Sequence, residues 1–400
     1  MLPPLCKKPS QCNGCISEHS NEGFACSKQV NKCDIMIIGL ASGETESRKG
    51  EPFSGGSGSM LRAMLRQAGI TNTYLTTLVK CRPWREGTNK YVKSNRIPTK
   101  EEIRSCTGRF LEQELHTTEP ILIIPIGDEV VSWLFHYCGQ QTPGPITNIR
   151  GYVFTLRDPI SNQSYKVLPI VDPHYIAQAN PEYWSITVHD LKKALQESYS
   201  REYKEVPENF IIAPTMQLVA KTIKFLLDNK LPISLDLETL GLDLYSVNIM
   251  CIGIAWSDTN AICIPFLKRG GYPYWKDTDE LGAWYYICQL LDSENTKITQ
   301  NGFPFDFPIL KYLGCQISGR CEDTLTQHHT VALELPHSLE FLASTYTRKR
   351  AFKGEAKGLS NMLWRKDEDM WIYNCRDCVA TWTTKFAIDK ELNKMEMKIW

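Results

Sequence analysis

Four hundred residues, 42% apolar and 22% charged, form an ordinary globular composition with room for two or three domains. Lys+Arg and Asp+Glu balance at 45 each, which excludes a histone-like polycation and leaves any nucleic-acid contact to local patches. No apolar run approaches the ~18–20 residues of a membrane span, and Met1-Leu-Pro-Pro-Leu-Cys-Lys-Lys8 lacks the apolar core of a signal peptide. A cytoplasmic protein with no membrane partner is therefore expected.

The chain opens on cysteine. Five of the fifteen cysteines (Cys6, Cys12, Cys15, Cys26, Cys33) precede residue 34, and a reducing compartment argues against a disulfide framework. Cys12-Asn-Gly-Cys15 is a two-residue knuckle suited to paired thiolates; by itself it reads as half a zinc site, completed by Cys26, Cys33 or Cys6. Most later cysteines sit in apolar strings such as Ile249-Met-Cys-Ile-Gly253, where Cys acts as a small hydrophobe.

Asp34-Ile-Met-Ile-Ile-Gly39 predicts a buried strand, followed by a Gly/Ser-rich loop and an amphipathic helix from Ser59. Strands are predicted at 73–79, 121–126 and 166–171, and helices at 100–115, 128–135 and 189–197. This alternation implies an α/β unit, a mainly parallel sheet with helices on both faces, over residues 1–196. The polar, aperiodic segment 197–208 reads as a linker. Beyond it, residues 209–400 open with a strand at 210–213, a helix at 216–229 and strands at 232–238, 249–256 and 261–266. A turn is predicted at Ser257-Asp-Thr-Asn260, so this half reads as an α+β pattern with an antiparallel meander.

Leu235-Asp236-Leu237-Glu238 puts two acids at i and i+2, on one face of a predicted strand. Same-side carboxylates repel unless a hard cation such as Mg²⁺ or Mn²⁺ sits between them. Asn301-Gly-Phe-Pro-Phe-Asp306 and Tyr373-Asn-Cys-Arg-Asp377 add a third and a fourth acid, with Asp236, Asp306 and Asp377 spaced by 70 and 71 residues. These three segments resemble the exonuclease motifs of the DEDDy 3′–5′ exonucleases, the RNase H-like proofreading fold of family A DNA polymerases. Asp323-Thr-Leu-Thr-Gln-His-His329 and Leu335-Pro-His-Ser-Leu-Glu-Phe-Leu are similar to its polymerase branch.

The resemblance implies two divalent cations, Mg²⁺ or Mn²⁺, held by Asp236, Glu238, Asp306 and Asp377, with Tyr373 orienting the attacking water. It implies DNA with single-stranded 3′ ends as substrate, although the fold serves RNA as well. His328 and His329 read as structural or DNA-proximal. The seven Lys/Arg of residues 348–366, with Phe352 and Trp364 interleaved, are suited to tracking a frayed strand, or equally form a solvated face.

In the first half, Gly39-Leu-Ala-Ser-Gly43, Gly50-Glu-Pro-Phe-Ser-Gly-Gly-Ser-Gly58, Lys80-Cys-Arg-Pro83 and a helical Cys106 occur in that order. They resemble the iron–sulfur uracil-DNA glycosylases. The resemblance implies a [4Fe-4S] cluster on Cys12, Cys15, Cys81 and Cys106, with a zinc ion in those positions as the alternative. It also implies a base pocket around Gly39, Leu40, Gly43, Phe53, Thr77, Asp172 and His174, with Phe53 stacking on a flipped uracil. The loop is neither a Walker A nor a Gly-x-Gly-x-x-Gly, so a nucleotide cofactor is disfavoured.

Three positions depart from the family. Leu40 replaces its first acid, Thr77 replaces the Asn that reads the uracil edge, and Asp172-Pro-His174 replaces a His-Pro motif. The expectation is a fold kept for DNA binding or scaffolding, aided by the Lys80–Arg104 stretch with its eight Lys/Arg and three Glu. An active glycosylase, with Asp172, His174 or Glu44 substituting, is the alternative. The joint pattern predicts a DNA-processing exonuclease that partners a phage-type polymerase module, in cis or in trans, in the phage or bacterial host cytosol; a non-catalytic DNA-binding polymerase subunit is a further alternative. Because residues 390–400 fall inside a predicted helix, the chain is expected to be an N-terminal piece or one half of a split enzyme.

Overall fold

Ile35-Met-Ile-Ile38 carries no polar alternation, and all four side chains are buried, as expected of a strand covered on both faces. In the computed structural model this run forms β1 (Ile35–Ala41), parallel to β2 (Tyr74–Val79) on one side and β3 (Leu122–Pro125) on the other. β4 (Phe154–Arg157) and β5 (Ser164–Val167) form an antiparallel pair whose β5 runs parallel to β3, giving the order β2-β1-β3-β5-β4. The structure describes residues 8–18, 21–27, 33–86, 93–241, 246–348 and 366–394. It divides into two compact units, Met1–Lys204 and Glu205–Trp400.

Several first-unit elements begin where sequence periodicity gave no signal. The glycine-rich loop contains α1 (Glu44–Lys49), with Glu44 and Glu46 in its first turn, Arg48 and Lys49 in its last, and Gly50 as a left-handed cap at φ 69°. Those charges complement the helix dipole. α2 starts at Gly56 rather than Ser59 and runs to Gln67. A Cβ on Gly58 would lie 2.0 Å from the Phe53 carbonyl oxygen, so only glycine allows this tight entry. α3 (Lys100–Cys106) starts at a Thr99/Glu102 capping box and continues through a π-helical stretch, Thr107–Leu111, into a helix ending at Thr118. α4 (Pro173–Ala179) was not anticipated; Asp172 caps it by accepting the His174 N–H at 2.7 Å, and Pro173 occupies its first position.

Ion pairs within the fold take up part of the Lys80–Arg104 stretch. Lys80 binds Glu114, Arg82 binds Glu22 and Glu44, Lys93 binds Glu22, and Arg96 binds Glu102. Lys80 and Arg82 are buried as well. Half of the eight cations are thus neutralised within the fold, which weakens the stretch as a phosphate-binding surface.

In the second unit β6 (Asn209–Ile211), β7 (Ile233–Leu240), β8 (Asn248–Ala255), β9 (Asn260–Pro265), β10 (Lys297–Thr299) and β11 (Cys321–Asp323) form a six-stranded sheet ordered β11-β10-β7-β8-β9-β6. The β7-β8-β9 meander is antiparallel, and Ser257 Oγ accepts the Thr259 and Asn260 N–H groups in its second turn. Sequence reading missed β10 and β11, which are parallel to β7 and to each other; three-residue strands carry no readable period. Leu235 and Leu237 enter a core with Val219, Ile223, Ile287 and Leu290, from the helices Met216–Asp228 and Asp277–Leu291. α5 (Asp306–Tyr312) borders the same core through Phe307, Ile309 and Leu310. The opposite face packs against α6 (Asp367–Lys394), whose Met370, Trp371, Cys375 and Cys378 meet Cys251 and Cys263. Within the basic 348–366 segment, residues 349–365 lie outside the described residues.

Candidate metal centres

Alternation along β7 turns Asp236 and Glu238 away from the leucine core, toward α6. Asp377, three residues beyond Asn374 on α6, completes a group in which one carboxylate oxygen from each of Asp236, Glu238 and Asp377 lies within 4.8 Å of the others. Asp377 is 5% exposed, whereas Asp236 and Glu238 are half-buried, so the cluster opens from the protein toward solvent. Three hard oxygen donors at this separation suit a divalent cation.

Asp306 occupies a different position. It begins α5, is buried, and its Oδ1 accepts the Leu237 N–H at 3.0 Å, which places it beside β7 between Asp236 and Glu238 in sequence. Burial pushes its carboxyl up to about 7, against the backbone hydrogen bond that lowers it. Tyr373 lies on α6 one turn before Asp377 and packs partly buried against Leu339 and Ala380. Two supporting residues escaped the sequence reading. Asp323 holds the turn that leads to Asp306, accepting Thr299 Oγ1–H at 3.0 Å and Gly302 N–H at 2.8 Å. Asn374 donates to Asp236. Both stand inside motif segments, but nothing in spacing distinguishes a ligand from its support.

His328 is fully buried and faces His337, with Nδ1···Nδ1 at 2.7 Å, beside Phe341 and Tyr346. This is a packing role.

In the first unit, Gly39 and Thr77 are cross-strand partners on β1 and β2. The Phe53 ring lies over Gly39, its Cζ 2.7 Å from where a Cβ would stand, and Phe53 itself adopts φ 55°. Gly39, Phe53 and Thr77 therefore come together at the sheet. Thr77 is buried and its hydroxyl donates to the Val79 carbonyl at 3.0 Å, so it is already engaged. Leu40 packs half-buried against the unit's core. Gly43 precedes α1 and is stitched to the glycine loop by Glu46, whose Oε1 accepts the Gly55 N–H at 2.7 Å. Asp172 stands near Gly127 at the next strand ends, and burial raises its carboxyl pKa. His174 is exposed, with its ring nitrogen 2.8 Å from Gln178 Nε2.

The knuckle closes as Cys15 N–H donates to the Cys12 carbonyl at 3.0 Å, with Gly14 at φ 67°. Cys81 and Cys106 share a small cluster with Val79, and Cys15 Sγ lies 3.7 Å from Ser105 Oγ, beside Cys106. Cys12, Cys81 and Cys106 are buried. Burial pushes the Cys106 thiol up to about 12, and the nearby Cys81 and Cys12 push it in the same direction. Sulfur acceptors are already served: Lys80 N–H points at Cys106 Sγ (3.4 Å) and Asn21 Nδ2 at Cys81 Sγ (3.5 Å). N–H donors aimed at the Cys81 and Cys106 sulfurs suit thiolate ligands, but among the described residues no three of these sulfurs approach within 4.8 Å of one another. The other proposed partners of the knuckle do not join it. Cys33 donates to the Ile35 carbonyl at 3.2 Å, and Cys26 is disulfide-bonded, an exception to the reducing-compartment argument; Cys6 lies outside the described residues.

Glu102 ties the knuckle loop to α3. Its carboxylate accepts from Arg96, Asn21 and Ser17 side chains and from the Thr99 N–H. The Arg96 guanidinium is the main cause that pulls its pKa down to about 2. A depressed carboxyl stabilises the fold above its unfolded pKa, near ~4.3, and loses that contribution as pH falls toward the folded value. The contribution is on the order of 3 kcal/mol at neutral pH. Glu102→Gln is expected to lower the denaturant midpoint at pH 7, with the gap to wild type closing between about pH 4 and 2. A gap independent of pH would show that the carboxylate's charge is not what stabilises this junction.

The chain thus joins an α/β unit bearing a four-cysteine set to an RNase H-like unit bearing a carboxylate cluster. Residues 28–196 match the uracil DNA glycosylase superfamily and residues 210–393 the 3′–5′ exonuclease family. The chain belongs to the former through its first unit, and its second unit is a 3′–5′ exonuclease domain, a phosphodiester hydrolase. The type-4 uracil-DNA glycosylase of Saccharolobus solfataricus is 30% identical over 167 residues, spanning 41% of this chain and 70% of that protein. That of Archaeoglobus fulgidus is 25% identical over 209 residues, 52% of this chain and 92% of that protein. Among solved structures, the catalytic core of RRP6 from Trypanosoma brucei is similar with TM-score 0.39 and 15% identity, over 49% of this chain and 52% of that one. Among the described residues no helix is long and apolar enough to cross a membrane.

Proposed function

We propose that the chain degrades DNA from single-stranded 3′ ends, with Asp236, Glu238, Asp306 and Asp377 as the ligands of two divalent cations, Mg²⁺ or Mn²⁺. The reading is carried by the approach of Asp236, Glu238 and Asp377 within 4.8 Å, inside a 3′–5′ exonuclease domain. When bound, such cations activate water and stabilise the leaving 3′ oxygen. The chain's own residues do the rest. Asp236 and Glu238 face the phosphate from one strand, and Asp377 closes the group from α6. Asp306 is held next to β7 by the Leu237 N–H. The Tyr373 hydroxyl, one helical turn from Asp377, orients the attacking water.

In this reading the first unit is a DNA-binding scaffold that carries a [4Fe-4S] cluster on Cys12, Cys15, Cys81 and Cys106. The chain works beside a phage-type polymerase module, in cis or in trans, in the cytosol of its host. The polymerase partner rests on the likeness of the exonuclease motifs alone.

A second reading, uracil excision in base-excision repair, is favoured by the type-4 uracil-DNA glycosylases that match most of the first unit. Against it stand Leu40, which supplies no charge, and Thr77, whose hydroxyl is engaged by Val79. One experiment separates the two. A 5′-labelled oligonucleotide containing uracil is incubated in Mg²⁺ or in chelator. The proposal expects a 3′-shortening ladder in Mg²⁺, none in chelator, and no alkali-labile site at uracil in either. Alkali-labile cleavage that disappears in Asp172→Ala or His174→Ala would establish the glycosylase reading instead.

A further inference from the structure

Asp236 does not stand alone on its strand. The β7–β8 register sets Gly253 directly opposite it. A Cβ at position 253 would lie 2.3 Å from Asn374 Oδ1 and 2.6 Å from Cys378 Sγ, so these two α6 side chains occupy the space that any other residue would fill. Asn374 is fully buried there, and its Nδ2 donates both to Asp236 Oδ2 at 2.9 Å and to the Asp236 carbonyl at 3.2 Å. One turn on, Ser234 Oγ donates to the Cys378 carbonyl at 2.7 Å and pins the same helix to the same strand.

The amide orientation follows from charge. Turned over, Asn374 would set its oxygen against both the carboxylate and the carbonyl of Asp236, three acceptors facing one another. The observed orientation instead leaves Asn374 Oδ1 buried without a hydrogen-bond partner. A buried acceptor lacking a donor destabilises a fold, so its retention calls for an explanation in the other half of the amide.

We propose that Asn374 is a positioning residue: it fixes the Asp236 carboxylate for cation binding, and Gly253 is the gap that admits it. This rests on the reading of Asp236, Glu238 and Asp377 as cation ligands. A neutral amide donor on Oδ2 orients the Asp236 carboxylate without cancelling the charge that draws a cation. Lys or Arg in that place would compete with the cation for the carboxylate. Amide donors that orient a ligating carboxylate typically change metal affinity by about 10- to 100-fold when removed.

The test uses the full chain and Mn²⁺ as probe, with binding read by electron paramagnetic resonance and the melting temperature recorded without metal. Asn374→Leu keeps the branched shape of the side chain, though not its volume, and removes both the donor and the unpartnered acceptor. It is expected to weaken Mn²⁺ binding about 10- to 100-fold while the metal-free melting temperature holds or rises. Exonuclease turnover should recover substantially at saturating Mn²⁺, because the ligands themselves remain. Should Asn374→Leu fail to fold, Asn374→Ser carries the same measurement, with the same expected loss of affinity. Gly253→Ala, which forces α6 away, should lower both Mn²⁺ affinity and melting temperature. Wild-type Mn²⁺ affinity in the Asn374 variant, with loss of binding in Asp236→Ala, would overturn the positioning role and leave the ligand assignment standing. Unchanged binding in Asp236→Ala would instead overturn the ligand assignment itself.

Discussion

Replacing Asp236 with alanine is expected to lower 3′–5′ exonuclease activity roughly 10³-fold or more, with the fold intact. The two parts of this expectation have separate causes. Asp236 shares the group of mutually close carboxylates with Glu238 and Asp377, and Asp306 is held to one side by Leu237 N–H. With Asp236 gone, the remaining acids no longer surround one position, and a divalent cation loses the donor that faces both Glu238 and Asp377. Stability should not suffer, because removing one of several crowded like charges relieves repulsion, and Asn374 keeps the residue-236 carbonyl as an acceptor. The measurement is a digestion time course on a 5′-labelled single strand, paired with melting curves with and without Mn²⁺. Wild type should gain stability with Mn²⁺ by mass action, about 2.7 kcal/mol at a hundredfold excess over Kd, and the variant should gain almost none. Tyr373→Phe removes one hydroxyl and no ligand, so its loss should be the milder one. Wild-type digestion by Asp236→Ala would sink the site assignment.

On the proposed cluster assignment, Cys81→Ser should remove the visible absorbance of the first unit and much of its stability. Cys81 is buried beside Val79 and Cys106, and Asn21 Nδ2 already points at its sulfur. Serine is a poor ligand for iron held by thiolates, so one attachment is lost, and the Asn21 N–H donor loses the sulfur it faces. Metal binding and folding are linked, since ligands far apart in sequence (here residues 12, 15, 81 and 106) are gathered only in the folded chain. A drop of roughly 10 °C in the melting temperature of this unit is the expected scale, a few kcal/mol at the slope usual for about 200 residues. Cys138→Ser is the control. Cys138 caps the helix Asp128–Tyr137, away from the knuckle in sequence, and its loss should leave the visible absorbance unchanged. Anaerobically purified protein that is brown and carries iron and sulfide would support the cluster. A colourless protein with one equivalent of zinc would replace it with a zinc site on the same cysteines.

The two units differ in how much of their architecture was readable in advance. In the first, the uniformly apolar β1 and the strands at Tyr74–Val79 and Leu122–Pro125 were legible because parallel strands are buried on both faces. α1 and α4 were not. Both are short, and both depend on caps, Gly50 and Asp172, rather than on an apolar stripe. In the second unit, alternation on β7 announced a strand with one acidic face, and the meander followed from the Ser257–Asn260 turn. β10 and β11 have three residues each and owe their pairing to neighbours supplied by the rest of the sheet.

What residue type and order determined by themselves was the chemistry: four acids in motif contexts, a cysteine knuckle with two later cysteines, and a glycosylase-like loop lacking its acid and its Asn. Side-chain type is a local property, and a carboxylate on a strand faces one side whatever the remainder of the chain does. Only the tertiary structure decided which of these groups meet. It brings Asp377 to Asp236 and Glu238, and turns Asp306 onto the Leu237 N–H. It engages the Thr77 hydroxyl with Val79 and neutralises half the Lys80–Arg104 cations against Glu22, Glu44, Glu102 and Glu114. It also explains Gly253, a glycine inside a buried strand, by the helix that presses Asn374 and Cys378 against it. Each of these outcomes rests on distances of a few ångströms between residues as far apart in sequence as Asp236 and Asp377. Such distances are set by how a helix docks on a sheet, which no local pattern along the chain encodes.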